Sequence, residues 1–403
     1  MSCLDAAKPP TQAVILAGGR GSRLAPLTDT IPKPMVEFHG RPFLAYLLDM
    51  LKGQGVEKVV LLLGYLPDVV VDYFGDGRDF GLEIEYSITA VENDTGARVR
   101  AAKDLLDPHF LLMYCDNYWP LQLEKMWQLY IEKSVPALVT VYANDDGYTR
   151  DNLRVTDGML EVYDKTREAE GLKGVDIGFM ILNKDVIDLL PEGNVSFEAS
   201  LYPKLVAERQ LAAFVTGHRY YSVGDHRRLP MTKKFLERQP CVILDRDGVL
   251  NQKMPQAEYV CKWSDWAWID GALEAISMFS ERGYKIVIVT NQAGIARGAM
   301  TEDDLADIHR HMIEDIENAG GHVDSIYYCP HGWDDNCTCR KPAPGMLFKA
   351  QQDLDLDLSR VCFIGDDERD GQAAERAGCL FEMVSDQIPL NMVAQKLMEE
   401  TNG

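Results

Sequence analysis

The feature that most constrains the fold is a repeated beginning: two short apolar runs, each followed by a polar loop suited to phosphate. Residues 13–16 lead into the glycine-rich loop 18–21, and residues 242–244 lead into Asp245-Arg246-Asp247-Gly248. At 403 residues the chain exceeds one ordinary core, since domains usually hold about 100 to 200 residues. We therefore expect two enzyme domains in series, at 1–238 and 239–403.

Short β-rich runs alternate with helical stretches in both halves, which predicts an α/β fold with a mostly parallel sheet. A helical segment ends at Gln239-Pro240, where proline disfavours continuation, and this places the domain boundary. The predicted strands are 13–16, 58–63, 110–114, 137–142, 177–182, 241–244, 285–290, 325–328 and 361–364. The predicted helices are 42–53, 121–133, 227–237, 272–282, 301–319 and 371–377.

Charge and hydropathy exclude several partner classes. The 41 basic and 63 acidic residues give a net charge of −22, which argues against a nucleic-acid or anionic-membrane partner. No apolar stretch reaches the length of about 18 residues that spans a bilayer, and the start lacks the pattern of a secretory signal. We expect a cytoplasmic protein whose nine cysteines are reduced or metal-bound.

The first loop, AGGRGSRLAPLTDTIPKP, combines glycines with basic side chains. Glycines let backbone amides approach an anion closely, and Arg20, Arg23 and Lys33 can neutralise a triphosphate. No Gly-Lys-Ser/Thr follows, so it is not a Walker loop, and it lacks the third glycine of a dinucleotide fingerprint. Over residues 12–236 the chain resembles the sugar-1-phosphate nucleotidyltransferases, which implies a Rossmann-like, GT-A-like fold.

That resemblance also implies roles for individual residues. The α-phosphate would meet Lys33, the departing pyrophosphate Arg23, and magnesium Asp116. Sugar-side contacts would come from Lys165, Asp176 and Gly178. The nucleotide would be held by Ala17, Gly18, Gly19, Gly21, Arg23 and Lys33.

Two points stay open in this half. Ser222 stands where the family usually has a metal-binding aspartate, and Asp225 could compensate for it. The segment 92–98 matches cytidylyl and guanylyl enzymes about equally well, so the nucleotide could be CTP or GTP.

The second loop, DRDGVLN, resembles the haloacid dehalogenase phosphatases, because Thr290-Asn291-Gln292, Arg340-Lys341-Pro342 and Gly365-Asp366-Asp367 follow in the order of that family. The resemblance implies that Asp245 is a nucleophile and Asp247 a general acid and base. Thr290 and Lys341 would bind the phosphoryl group. Magnesium would be held by Asp245, Asp366 and the Asp247 carbonyl, with Asp367 and Asp370 as open candidates for support. The remaining substrate contacts would be Asn291, Arg297 and Arg340.

A cluster of soft ligands lies just before this lysine. Cys329, His331, Cys337 and Cys339 supply three thiolates and one imidazole, which fits a closed tetrahedral zinc site with a structural role. The arrangement narrows the resemblance to heptose-bisphosphate and histidinol-phosphate phosphatases. The strings DRDGVLN, TNQAGIARG and RKPAPGM look more like D-glycero-D-manno-heptose 1,7-bisphosphate phosphatase.

Other conspicuous side chains have simpler interpretations. We expect Trp263, Trp266 and Trp268 to pack in a core, and His309 and His311 to be solvated on a helix.

The two resemblances fit one route, since removing the 7-phosphate of a sugar 1,7-bisphosphate leaves the 1-phosphate that a nucleotidyltransferase needs. They predict a bifunctional enzyme that makes an NDP-heptose from NTP and sugar phosphates, with magnesium in both domains. A phosphatase for another sugar, a polyol or histidinol phosphate is one alternative, and a regulatory N-terminal domain is another. A homodimer is implied by family resemblance only.

Overall fold

The structure, a computed structural model, describes residues 8–255 and 257–401. The chain divides into two compact units, Met1–Leu236 and Glu237–Gly403. The predicted boundary at 238/239 lies two residues from this division.

The first unit alternates strands and helices along most of its length. Its strands are β1 (Gln12–Leu16), β2 (Glu37–Phe38), β3 (Arg41–Pro42), β4 (Lys58–Leu63), β5 (Glu83–Ile88), β6 (His109–Tyr114), β7 (Asn117–Tyr118), β8 (Ala137–Tyr142), β9 (Leu153–Thr156), β10 (Met159–Tyr163), β11 (Val175–Asn183), β12 (Leu211–Thr216) and β13 (Tyr221–Ser222). Its α-helices are α1 (Phe43–Gly53), α2 (Pro67–Phe74), α3 (Thr95–Ala101), α4 (Leu123–Lys133), α5 (Phe197–Ala207) and α6 (Leu229–Phe235).

The main sheet of this unit is covered on both faces. Within β1, Ala13 and Ile15 belong to one apolar cluster with α1 and α4, whereas Val14 and Leu16 belong to another with α3 and α5. Successive side chains of a strand point to opposite faces, so a strand buried on both sides reads as a continuous apolar run. The unit is therefore a three-layer α/β/α arrangement.

The sheet has the strand order β5-β4-β1-β6-β11-β8-β12-β10-β9 and is mixed. The pairs from β5 to β6 are parallel, but β11 is antiparallel to both of its neighbours. The expectation of a mostly parallel sheet is wrong for this second part. An apolar run carries no direction; here the direction changes because β9 and β10 form a hairpin through Asp157-Gly158, both at positive φ, as hairpin turns prefer.

The second unit has a smaller sheet that is parallel throughout, with the order β16-β15-β14-β17-β18. Its strands are β14 (Cys241–Leu244), β15 (Lys285–Asn291), β16 (Ser325–Cys329), β17 (Cys362–Gly365) and β18 (Leu380–Met383). Its helices are α7 (Ala272–Glu281), α8 (Glu302–Asn318), α9 (Gly345–Leu354), α10 (Glu368–Ala377) and α11 (Leu390–Thr401).

Helices cover both faces of this sheet as well. Side chains of α7, α8 and α11 share one apolar cluster with β14, and those of α9 and α10 share the other. Strand β14 lies between β15 and β17, so the loops that follow these three strands meet at one edge of the sheet. In open α/β sheets ligands bind at this carboxyl edge, where neighbouring connections diverge.

Local signals explain the helix ends. Thr301 and Asp304 form a capping box at the start of α8, with each side chain bonded to the other's backbone N–H. Helix α10 begins at Glu368 rather than at the predicted Gly371, because Asp367 and Asp370 form a second capping box. Among the described residues, none of the helices is long and apolar enough to cross a membrane.

Candidate active sites

The glycine-rich loop of the first unit follows β1, which lies in the parallel part of the sheet. A Cβ on Gly18 would lie 2.3 Å from the guanidinium carbon of Arg98, so a side chain there would displace Arg98. Gly21 has φ 66°, which also favours glycine. Within the described residues, the backbone N–H groups of Gly19, Arg20 and Gly21 have no protein acceptor. A run of free amides at a turn is suited to binding phosphate oxygens.

Arg98 holds this loop in place through hydrogen bonds to backbone carbonyls. Its side chain is buried and donates hydrogen bonds to the carbonyls of Gly18 (3.2 Å) and Leu63 (2.8 Å). It also reaches the carbonyls of Ala90 and Val91, both at 3.1 Å. Burial lowers the pKa of this guanidinium. Sequence reasoning missed this role, and Arg98 fixes the loop rather than facing a ligand.

Lys33 and Asp116 meet beside the loop. Lys33 Nζ lies 2.5 Å from Asp116 Oδ2, and both side chains are largely shielded from water. Ser222 pairs with Asn117 across the ladder of β13 and β7, and the amide N–H of Val223 donates to the carbonyl of Asp116 at 2.8 Å. This backbone pairing therefore holds Ser222 beside Asp116.

Ser222 and Asp225, the two candidates for a second metal ligand beside Asp116, already accept hydrogen bonds from backbone amides. Ser222 Oγ accepts from the amide of Gly224 at 2.9 Å, and Asp225 Oδ1 accepts from the amide of Arg227 at 2.9 Å. Among the described residues, no group of three or more candidate metal ligands includes Asp116. A metal at this point would need oxygens from elsewhere, which the phosphates of a nucleotide can supply.

The remaining candidate residues of the first unit differ in their exposure to solvent. Lys165 is exposed, in a turn held by Asp164, and Arg23 is exposed on the glycine-rich loop. Asp176 is enclosed: it accepts from the amide of Gly178 (2.8 Å) and from Tyr202 Oη (3.0 Å), and burial raises its pKa.

Gly178 is needed where it stands. It has φ 78°, and a Cβ would lie 2.7 Å from the ring of Tyr114. The hydroxyl of Tyr114 donates to Glu198, a residue that sequence reasoning missed. Burial raises the pKa of Glu198 to about 7.

In the second unit a cavity of about 600 Å³ opens at the carboxyl edge of the sheet. Asp245 directly follows β14, and Lys341 Nζ lies 2.8 Å from its Oδ1. The same Nζ lies 2.8 Å from Asp370 Oδ1, and all three side chains are nearly inaccessible to water. Burial raises the pKa of Asp245, the charge of Asp370 adds to the rise, and Lys341 opposes it.

The carboxylates of this site fit a divalent cation. Oxygens of Asp245, Asp366 and Asp370 lie within 4.8 Å of one another. Asp366 Oδ1 is buried and has no hydrogen-bond partner in the described part of the chain, while Oδ2 contacts Lys253 Nζ at 2.6 Å. Gly248 stands against Asp366 at positive φ, where a Cβ would lie 2.3 Å from Oδ2. Clustered carboxylates with an unpartnered oxygen are what magnesium binds.

Asp247 is surrounded by hydrogen-bond donors. Its carboxylate accepts from Arg246 Nη2 (2.9 and 3.0 Å), Asn251 Nδ2 (3.0 Å), Gln292 Nε2 (2.8 Å) and Thr290 Oγ1 (3.2 Å). Burial alone would raise the pKa of Asp247, but the charge of Arg246 and these hydrogen bonds outweigh it, so the pKa lies below its usual value.

The predicted substrate contacts fall in different places. Arg340 and Asn291 line the cavity, but Asn291 also clamps the backbone of Lys341 through two hydrogen bonds of 3.0 and 3.2 Å. Arg297 is exposed, with its guanidinium stacked 3.9 Å over the ring of Trp333, which lines the cavity.

The four soft ligands do come together. The sulfur atoms of Cys329, Cys337 and Cys339 lie 3.2 to 3.6 Å apart, and His331 Nδ1 lies 3.2 Å from Cys339 Sγ and 3.5 Å from Cys329 Sγ. Separations of this size suit four ligands around one zinc ion, for which Zn–S distances are about 2.3 Å. Because Arg340 and Lys341 follow Cys339 directly, such a metal would anchor the segment that carries the cavity lysine.

The helix α8 corrects one expectation. His309 is buried rather than solvated, and burial, followed by the charge of Arg246, lowers its pKa to about 3. His311 is half-buried and stacks on Trp263. The three tryptophans pack against the apolar cluster of β14 and α7, as expected.

Comparison with protein families gives two matches that divide the chain. Residues 12–239 match the nucleotidyl transferase model, and residues 241–380 match the model for polynucleotide kinase 3 phosphatase.

Similar proteins exist for both parts. The chain is 44% identical over 138 residues to D-glycero-beta-D-manno-heptose-1,7-bisphosphate 7-phosphatase of Bordetella bronchiseptica, covering 34% of this chain and 76% of that one. It is 41% identical, with the same coverage, to the enzyme of that name from Pseudomonas aeruginosa. The crystal structure of HddC from Yersinia pseudotuberculosis complexed with GMP-PN is similar at 26% identity and a TM-score of 0.50, over 56% of this chain and 99% of that one.

Proposed function

The chain belongs to the nucleotidyl transferase family through residues 12–239 and to the family of D-glycero-beta-D-manno-heptose-1,7-bisphosphate 7-phosphatases through its second unit, and we propose that it uses both activities in sequence. The second unit would remove the 7-phosphate from a heptose 1,7-bisphosphate. The first would then transfer a nucleotidyl group from NTP to the remaining 1-phosphate. The product would be an NDP-heptose, with release of phosphate and pyrophosphate.

The observation that carries the phosphatase half is the buried cluster at the end of β14. Asp245 would be the nucleophile, and Lys341, whose ammonium lies 2.8 Å away, would offset the charge of a bound phosphoryl group. In this proposal Asp245 attacks phosphorus while Asp247 protonates the leaving oxygen. Asp247 then takes a proton from the water that hydrolyses the aspartyl phosphate.

Metals would assist both sites. Asp245, Asp366 and the Asp247 carbonyl would hold Mg²⁺ in the phosphatase, with Asp370 close enough to support it. Asp116 would hold Mg²⁺ in the transferase. The ion supplies positive charge that stabilises phosphoryl oxygens in the transition state. Zinc held by the three cysteines and His331 would be structural, since four protein ligands leave no open position.

The transferase half depends on positioning. The free amides of Gly19, Arg20 and Gly21 would hold the triphosphate, and Lys33 would contact the α-phosphate. An oxygen of the sugar 1-phosphate would attack the α-phosphorus as pyrophosphate leaves, with no covalent enzyme intermediate.

The two substrates are inferred from relatives. A heptose bisphosphate is favoured because relatives at 44% and 41% identity are named for it. GTP is favoured over CTP because the similar HddC was crystallised with GMP-PN.

The test uses two variants that serve as controls for each other. Asp245→Asn should abolish phosphate release from heptose 1,7-bisphosphate, by at least about 10³-fold, because an amide is not a nucleophile here. It should leave pyrophosphate release from GTP and heptose 1-phosphate unchanged. Asp116→Ala should do the reverse. If the wild-type chain released no pyrophosphate with any of the four common nucleotides, the first unit would be a binding or regulatory module.

A further inference from the structure

Arg246, the residue between the two aspartates of the DRDG loop, has a buried and specific environment. Its side chain is 1% exposed, and one nitrogen, Nη2, reaches both carboxylate oxygens of Asp247. Asn251, Thr290 and Gln292 also bond to that carboxylate, but they are neutral. Arg246 is therefore the charged group that orients Asp247.

The other side of the guanidinium faces α8 and an aromatic ring. Its Nη1 lies 3.4 Å from His309 Nε2, and its carbon lies 5.7 Å from the ring centre of Trp266. Its Nε is buried and has no hydrogen-bond partner among the residues that the structure describes. Burying a guanidinium with an unpaired N–H costs free energy, so the folding of this region does not by itself explain why arginine stands here.

His309 is suited to accept from this guanidinium. A neutral imidazole has one nitrogen lone pair, whereas an imidazolium has none and would repel Arg246. Burial keeps the ring neutral over the physiological range of pH, because it lowers the pKa of His309 to about 3. Helix α8 thus supplies a neutral acceptor on the far side of Arg246 from Asp247.

We propose that Arg246 and His309 are positioning residues for the phosphatase reaction: His309 fixes the guanidinium, and the guanidinium fixes the carboxyl group of Asp247 toward the leaving oxygen. The inference rests on the proposed function. The negative charge of a bound phosphoryl group raises the pKa of Asp247 and opposes the effect of Arg246, so Asp247 enters the first step protonated. In that step the Asp245 oxygen bonds to phosphorus, the bond from phosphorus to the leaving oxygen breaks, and the proton passes from Asp247 to that oxygen. In the second, water oxygen bonds to phosphorus, its proton passes to Asp247, and the Asp245–phosphorus bond breaks.

A leaving-group comparison separates positioning from a general structural effect. A sugar alkoxide leaves poorly and needs a proton from Asp247, whereas 4-nitrophenolate leaves without one. In Arg246→Gln we expect kcat for heptose 1,7-bisphosphate to fall by about 100-fold, within the range that general acid catalysis supplies. The pre-steady-state burst of 4-nitrophenolate from 4-nitrophenyl phosphate should change by less than about 3-fold, since this step needs no proton.

Variants of His309 provide a second route if Arg246→Gln fails to fold. His309→Leu should lower kcat for the sugar substrate by about 10-fold with little change in KM, because Arg246 loses its acceptor. His309→Gln, which retains an acceptor, should restore most of it. Arg310→Gln is the matched control, since Arg310 lies on the same helix in exposed ion pairs with Asp307 and Glu314.

The inference would be overturned if kcat for heptose 1,7-bisphosphate and the burst rate from 4-nitrophenyl phosphate fell by the same factor. It would also be overturned if kcat for the sugar substrate fell in neither His309→Leu nor Arg246→Gln. Failure of the wild-type enzyme to hydrolyse the heptose bisphosphate while it hydrolyses 4-nitrophenyl phosphate would instead overturn the proposed substrate. In that event glycerol phosphate, another alkoxide substrate, would replace it in the comparison.

Discussion

Lys341 Nζ lies 2.8 Å from Asp245 Oδ1 and equally close to Asp370 Oδ1, with all three groups shielded from water. One ammonium therefore holds two buried carboxylates near each other. The attraction of Lys341 to both acids outweighs the effect of burial and raises the lysine's pKa, so the lysine stays charged. Asp245, the nucleophile in the proposed reaction, is thus part of a buried charge cluster.

Removing this lysine should destabilise the second unit. Lys341→Met leaves Asp245 and Asp370 buried without a counter-charge, and breaking a buried ion pair typically costs about 3 to 5 kcal/mol. Lys349→Met is the control, because the exposed pair of Lys349 with Asp353 should contribute less than about 1 kcal/mol. Urea denaturation followed by tryptophan fluorescence measures both. Similar losses in the two variants would contradict a buried cluster.

Zinc removal should affect the phosphatase alone. Cys337→Ser should reduce bound zinc by about one ion per chain and lower phosphate release, because the segment carrying Lys341 loses its anchor. Cys261→Ser, outside the cluster, should retain the metal and the activity. Metal analysis by mass spectrometry and parallel assays for phosphate and pyrophosphate decide this. Unchanged zinc content in Cys337→Ser would exclude the proposed site.

The buried His309 should make stability depend on pH. Its folded pKa of about 3 lies below the unfolded value of 6.5, so the unfolded state binds more protons between these limits. The free energy of unfolding should fall as pH drops below 6.5, by up to about 1.4 kcal/mol per pH unit from this group. In His309→Gln the slope should be smaller by that amount. Parallel slopes for the two proteins from pH 6.5 to 4.5 would show that His309 is not buried as a neutral ring.

Restoring a carboxylate beside Asp116 should strengthen the transferase metal site. Ser222→Asp puts a second carboxylate on the strand paired with Asn117, and it can still accept from the amide of Gly224. We expect the Mg²⁺ concentration for half-maximal pyrophosphate release to fall by about 10-fold, since affinity rises with the number of charged ligands. A magnesium titration of both proteins tests this. An unchanged midpoint would mean that position 222 does not face the metal.

The sequence was sufficient where neighbouring residues carry the chemistry. The loops after β1 and β14 and the four soft ligands are short patterns, and the structure brings the members of each pattern together. Strand order was not predictable, because an apolar run such as β11 does not state which neighbours it pairs with or in which direction. The buried role of Arg98 depends on carbonyls brought together only by the fold.

The burial of His309, in contrast, could have been predicted from the sequence. Leu305, Ile308, Met312 and Ile316 mark the buried face of α8, and residue 309 lies on it by the spacing of three and four residues. Its polarity suggested solvent, but helical periodicity predicted burial. The function of such a residue becomes visible only when its partner, Arg246, is located.

The proposal that one chain carries out both reactions in sequence is tested most directly by a single-pot conversion. Heptose 1,7-bisphosphate, GTP and magnesium are incubated with the enzyme, and phosphate, pyrophosphate and the nucleotide sugar are quantified together. We expect one phosphate and one pyrophosphate for each NDP-heptose formed, with both Asp245→Asn and Asp116→Ala yielding none of the final product. Phosphate release without pyrophosphate or nucleotide sugar, with any of the four common nucleotides, would contradict the proposal.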